Sequence, residues 1–264
     1  MRTRLESCTS HARATPASGK VARVPIATQL DLLIAAAHPA ELAGLRVAWG
    51  RPLSSRVRGL HVAARAIGVG LPAAAVGAAR AICELRPRAL VLLGSCGVYP
   101  SATRAAGPAR GAARATSRHL LIPAIPERVQ LVDAAVLGGR AAFPGPMPSG
   151  ARLHRALTRG LARCAPGALR GTLATTAGIT TSNALARRIA RETGCETENL
   201  EALGVALACE AERVAFAALL VVTNTVGSRG RAQWLEHHAA AAERGARVLT
   251  EWLALGAPGL QSGL

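Results

Sequence analysis

The sequence predicts an α/β protein: a single-domain, three-layer α/β/α arrangement around a central mixed, mostly parallel sheet. Three observations carry that expectation. Short continuous apolar runs such as Leu32 to Ala37 and Ala89 to Leu93 have strand length and no alternation, the mark of strands covered on both faces. A strand, glycine turn, helix and second strand follow one another, which makes a βαβ unit with parallel neighbours. Half of the 264 residues are hydrophobic and 18% are charged, so a sizeable core is available and a wholly disordered chain is excluded.

Taken in order, the first element is the strand Leu32 to Ala37, closed by His38-Pro39, with Ala40-Glu41-Leu42 opening a helix. A second strand, His61 to Ile67, ends in Gly68-Val69-Gly70. Pro72 to Arg86 is alanine-rich with helical spacing, and the strand Ala89 to Leu93 stops at Gly94. Residues 101–118 are rich in Arg, Ala, Gly and Ser without periodicity, which predicts an exposed loop. Strand-like runs follow at His119 to Ile122 and Val129 to Val136, then a Pro/Gly loop at Pro144 to Pro148. Helices are expected at Arg152 to Cys164, Asn183 to Thr193, Thr197 to Val214 and Gln233 to Leu255. Strands are expected at Gly171 to Thr175 and Ala215 to Thr223. The domain therefore spans residues 28–258, between an extension at 1–27, expected to be disordered, and a short tail at 259–264.

Lys+Arg number 32 against 15 Asp+Glu, a net charge of +17 that invites a nucleic-acid partner. The chain, however, has a single lysine, Lys20, and only two aspartates, Asp31 and Asp133. Such a swap of Lys for Arg, with abundant Ala, Gly and Pro, is what a GC-rich coding sequence gives without selection for a ligand, so a nucleic-acid partner is not expected. Six scattered cysteines without a C-x-x-C pair fit reduced thiols in a cytoplasmic protein. The Arg-, Ser- and Thr-rich start lacks the apolar core of a secretory signal, and no segment gives about 18 uninterrupted apolar residues, so no membrane span is predicted.

Four motifs could carry chemistry. Gly68-Val69-Gly70 after a strand has the opening of a dinucleotide fingerprint, but Ala73 stands where the third glycine belongs and no acid follows at the ribose position, so a nicotinamide site is rejected. Gly94-Ser95-Cys96-Gly97 at a strand end would let backbone amides approach an anion or sugar, or is an ordinary turn. Glu198 and Glu201, three apart, fall on one helix face; they hold hydroxyl groups or merely favour a helix start. Thr223-Asn224 closes a buried strand at the edge where α/β sheets bind ligands. His237 and His238 are adjacent, lack partners of metal-ligating type and are expected on the surface.

In this order the pieces resemble the purine nucleoside phosphorylase and methylthioadenosine/S-adenosylhomocysteine nucleosidase superfamily over roughly Leu32 to Trp252, and within it the futalosine hydrolases. Ala36-Ala37-His38-Pro39-Ala40-Glu41-Leu42 is similar to the first loop of the hydrolytic members, whose glutamate activates water. The phosphorolytic members use glycine and arginine there to hold phosphate. Gly94 to Gly97 resembles the ribose/phosphate loop, in a spelling also found among phosphorylases. Glu198-Asn199-Leu200-Glu201 is similar to the E-N-M-E signature of futalosine hydrolases, and Thr223 to Trp234 to their segment that opens S-N-x-V and closes on tryptophan. The expected base-stacking aromatic falls on Ile179, and the arginine that often precedes the S-N pair on Leu220.

The resemblance implies hydrolysis of the N-glycosidic bond of a purine nucleoside with a 5′ substituent, in menaquinone-pathway or salvage chemistry. Glu41 would be the general base, Glu201 the ribose holder and Asn224 the group at the leaving base. Gly94, Ser95, Cys96, Gly97, Ile179, Glu198, Leu200 and Thr223 would line the substrate. It also implies a homo-oligomer and no metal or redox cofactor. Adenine-specific members carry aspartate at Asn224; a carboxylate would repel a 6-oxo oxygen, whereas an amide donates to both N7 and O6, which favours a 6-oxopurine. The alternatives are a phosphate-dependent nucleoside phosphorylase and a non-catalytic nucleoside-binding or nucleic-acid-binding protein.

Overall fold

The computed structural model describes residues 30–49, 54–100 and 119–260. The extension at 1–27, the loop at 101–118 and the tail from 261 onward lie outside the described residues.

The elements, in chain order, are β1 (Leu32–Ala36), a 3-10 turn (Pro39–Leu42) leading into α1 (Ala43–Trp49), β2 (Ser54–Val57), β3 (Leu60–Ala66), α2 (Leu71–Leu85) and β4 (Ala89–Val98). They continue with β5 (Pro123–Ala124), β6 (Arg128–Val132), α3 (Ala134–Leu137), β7 (Gly150–Arg152), α4 (Arg155–Arg163), β8 (Thr172–Thr176) and α5 (Asn183–Thr193). The last are β9 (Cys195–Asn199), α6 (Ala202–Ala211), β10 (Ala215–Thr225) and α7 (Gly230–Ala254).

The predicted architecture holds: a mixed sheet with helices on both faces. Along one path the strands run β2-β3-β1-β4-β9-β8-β6-β7, and β10 lies on the other edge of β4 with β5 beyond it. Pairings of β1 with β3 and β4, β10 with β4, β6 with β8 and β8 with β9 are parallel. The pairings β2/β3, β4/β9, β6/β7 and β5/β10 are antiparallel. Strand β4 is the joint. Its first residues bond β1 (Leu32↔Ala89 to Ala35↔Leu92) and its last bond β9 (Gly97↔Glu198, Val98↔Thr197), while β10 follows it along the opposite edge.

The period of two along buried strands divides the core by face. Leu32, Ile34, Val91, Leu93, Ala217 and Leu219 pack with Leu157, Leu249 and Trp252 from α4 and α7. Leu33, Leu90, Leu92, Ala218, Leu220 and Val222 pack on the other side with Ala74 and Ala78 of α2 and Val205 and Cys209 of α6. Burial of both faces explains the unalternated apolar runs.

Four expectations are corrected. Gly94 to Gly97 is not a turn: β4 runs on to Val98, because Leu220↔Gly94, Val221↔Ser95, Val222↔Cys96 and Asn224↔Gly97 continue the ladder with β10 and override the glycines' preference for turns. Thr197 to Val214 is not one helix; its start is β9, paired on both sides, so Glu198 lies in a strand and does not share a helix face with Glu201. His119 to Ile122 forms a turn, and pairing begins at Pro123. Val129 to Val136 is a strand to Val132 followed by α3, because Asp133 accepts from Ala135 N and Val136 N and caps a helix there. The edge strands β2 and β7, short and polar, carry no apolar signal in the sequence.

Candidate active site

Along the edge of β4 between the ends of β1 and β9, residues 93–96 have no neighbouring strand, and side chains take its place. Ser95 N donates to Glu41 Oε1 at 3.0 Å, and Ser95 C=O accepts from Asn199 Nδ2 at 3.2 Å. Ser95 Oγ also donates to Glu41 Oε1, at 3.1 Å. Glu41 reaches this position from the 3-10 turn after β1. Pro39 starts the turn and His38 caps it, its Nδ1 accepting from Ala40 N at 3.2 Å while Glu41 Oε2 accepts from His38 N at 3.2 Å. Gly94 makes the approach possible, since a Cβ there would stand 3.0 Å from Glu41 Oε1.

The amides that the G-S-C-G spelling offers to an anion are thus given to the protein's own carboxylate. Burial, helped by the nearby Glu201 charge, outweighs these donors and pushes the Glu41 carboxyl up to about 7. A carboxyl poised there exchanges protons with water near neutral pH.

Glu201 stands at the start of α6 and is buried. Its Oε1 accepts from Gly70 N at 2.8 Å, so Gly68-Val69-Gly70 serves as the clamp on this glutamate and brings Val69 to the cavity. Asn199 Oδ1 accepts from Glu201 N at 2.8 Å and Ala202 N at 2.9 Å, an Asx turn that leads into α6. Burial raises the Glu201 carboxyl above its ordinary value, and the Gly70 and Asn199 bonds partly offset this.

Glu198, Gly97 and Asn224 sit side by side on β9, β4 and β10. The glycine between them leaves space for the Asn224 amide, whose Nδ2 would be 2.9 Å from a Cβ at Gly97. Asn224 Oδ1 accepts from Thr223 Oγ1 at 2.8 Å and Nδ2 donates to Thr225 O at 3.3 Å, leaving one amide hydrogen for the cavity. Glu198 accepts from Tyr99 Oη at 2.7 Å, Thr180 Oγ1 at 2.6 Å and Thr180 N at 3.1 Å. Burial pushes the Cys96 thiol up, so it is no nucleophile at neutral pH.

One cavity of about 310 Å³ is lined by Glu41, Ser95, Cys96, Gly97, Ile179, Glu198, Leu200, Glu201, Thr223 and Asn224. Gly94 lies on a second, smaller cavity behind Glu41. Ile179 is 53% exposed and therefore belongs to the mouth. Sequence reasoning did not place Val69, Asn199 or Trp234 here. Trp234, on α7, donates from Nε1 to Ser95 Oγ at 3.2 Å and stacks on His238 with ring centres 4.7 Å apart. The Gly-Val-Gly loop was the signal for Val69, and the tryptophan closing the β10–α7 segment was the signal for Trp234. Among the described residues no group of three His, Cys, Asp or Glu could hold a metal ion, and no helix is long and apolar enough to cross a membrane.

A family model described as the phosphorylase superfamily matches residues 31–254. No curated protein sequence matches the chain. Among solved structures, the 5′-methylthioadenosine/S-adenosylhomocysteine nucleosidase of Helicobacter pylori with butyl-thio-DADMe-Immucillin-A is similar at a TM-score of 0.71 and 12% identity, covering 86% of this chain and 98% of that one. A futalosine hydrolase mutant of the same organism is similar at 0.70 and 12%, covering 85% and 98%. The corresponding Neisseria meningitidis nucleosidase, in complex with methylthio-immucillin-A, is similar at 0.68 and 18%, covering 85% and 99%. At these identities the likeness is one of fold.

Proposed function

The chain belongs to the phosphorylase superfamily, and from that premise we propose that it hydrolyses the N-glycosidic bond of a purine nucleoside carrying a 5′ substituent, as futalosine hydrolases do. The observation that carries the reading is the place of Glu41. Its carboxylate takes both the amide and the hydroxyl of Ser95, donors that a phosphate nucleophile would otherwise need. The similar structures are named as two nucleosidases and a futalosine hydrolase.

In the proposed step the ribose lies over Ser95 and Gly97, with its 2′ and 3′ hydroxyls donating to Glu201, whose Oε1 is already oriented by Gly70 N. The C1′–N bond lengthens, its electron pair passes to the base and positive charge builds on the sugar beside two carboxylates. Glu41 takes a proton from the water that attacks C1′, a role worth on the order of 10²–10⁴-fold. Asn224 gives its one free amide hydrogen to the N7/O6 edge of the departing base and, unlike a carboxylate, does not repel O6, which favours a 6-oxopurine. Its amide cannot hand over a proton, so the base leaves as an anion and is protonated by solvent. Glu198, Leu200, Thr223, Cys96 and Ile179 shape the walls around base and sugar.

Futalosine, inosine and 5′-methylthioadenosine assayed with and without phosphate test the reading. Free base and free sugar are expected without phosphate, and Glu41→Gln is expected to remove turnover. Ribose 1-phosphate among the products, or activity that survives Glu41→Gln unchanged, would overturn it.

A further inference from the structure

Glu41 separates two cavities. The larger receives the substrate; the smaller lies behind the carboxylate, between the 3-10 turn and α7, and measures about 20 Å³, enough for one water. Its lining includes Glu41, Ser95, His38, Trp234 and His238. Two imidazoles therefore share a water-sized space with the group that takes the proton from the attacking water, on the side that the substrate does not occupy.

Their hydrogen bonds distinguish them. His38 Nδ1 accepts from Ala40 N, so the neutral ring carries its proton on Nε2 and has no lone pair left to offer. His238 Nδ1 lies 3.1 Å from Leu235 C=O, which can only accept; the proton therefore sits on Nδ1, and Nε2 keeps a free lone pair. His238 is also partly open to solvent, and the stack on Trp234 fixes the plane of its ring. His238 and Glu41 share no direct hydrogen bond or ion pair among the described residues, and the cavity they both line has room for one bridging water.

We infer that His238 is the relay through which Glu41 returns its proton to solvent, across a single water in the small cavity. The inference rests on the hydrolytic reading above. After water has attacked C1′, Glu41 holds the proton and the departed base is an anion that draws one from solvent. Glu41 passes its proton to the bridging water, that water passes one to His238 Nε2, and the imidazolium releases it outside. One water is consumed, the free base ends neutral, and Glu41 is again a carboxylate. Because the route leaves by the back of the site, the base form is regenerated while products still fill the substrate cavity.

The test pairs His238→Phe, which keeps a ring against Trp234 without Nε2, with His238→Ala, which leaves room for added imidazole. Both variants are expected to lose about tenfold or more in kcat, with kcat/KM within about twofold of the parent, since only regeneration of the base is slowed. Imidazole in the assay is expected to restore His238→Ala and not His238→Phe. Unchanged kcat in His238→Phe overturns the relay, as does a parallel fall in kcat and kcat/KM that imidazole does not reverse, which would mark a packing role. Absence of nucleoside turnover by the parent protein would instead defeat the hydrolytic reading, so the two failures are distinguishable.

Discussion

Glu41 and Glu201 are two carboxyls raised by the same cause, removal from water, and Glu201 adds its charge to the pressure on Glu41. In its proposed role of base Glu41 works only when ionised, so kcat/KM is expected to rise with pH through about 7 and to level above it. Removing the neighbouring charge in Glu201→Gln should move that limb to lower pH, besides weakening the proposed hold on the sugar; a pH–rate profile of the two proteins measures the displacement, and an unmoved limb refutes the coupling. At this scale the sequence pointed to residues that the fold brings to one cavity, as with Glu41 after His38-Pro39 and Asn224 after Thr223. It assigned no role to Asn199, whose local bonds to Glu201 N and Ala202 N are joined by one to Ser95 C=O, on a strand 104 residues away in the chain.

Among the elements, long buried ones were readable and short polar ones were not. Strands β1 and β10 are continuous apolar runs, and α5 was bounded to the residue because Ser182 caps its start and Gly194 ends it in a left-handed conformation. Strand β9 has the sequence CETEN, which reads as a polar helix start; only its pairing with β8 and β4 makes it a strand. The two glycines of β4 misled in the same way, since tertiary pairing overrode local preference. The Asn199 turn that leads into α6 has a measurable weight. Asn199→Ala is expected to destabilise the protein by about 1–2 kcal/mol and to release Glu201 from its position; denaturant unfolding gives the first and KM the second.

For the molecule as a whole, the pH dependence of stability follows from the same carboxyls. A group held at about 7 in the folded state and 4.5 when unfolded binds its proton more tightly in the fold, so its contribution is fully present below 4.5 and is lost as pH rises through 7. The Glu41 share is on the order of 3 kcal/mol. The thermal midpoint should therefore fall between pH 5 and 8 more steeply in the parent than in Glu41→Gln, as differential scanning fluorimetry across that range would record; equal slopes would refute the assignment. The +17 charge plays no part in this account. Among the described residues Glu41, Glu198 and Glu201 form no ion pair with an arginine, and ion pairs such as Arg65–Glu84 and Arg188–Glu192 lie at the surface, where each contributes little.

One bond makes the site open to observation. The Ser95 amide, which would face a neighbouring strand elsewhere in the sheet, points at Glu41 Oε1. Its proton is a resident spectroscopic probe. In an 15N-labelled sample its resonance should titrate with the ionisation of one carboxyl, so the charge of Glu41 can be followed at a single backbone position with no substrate present.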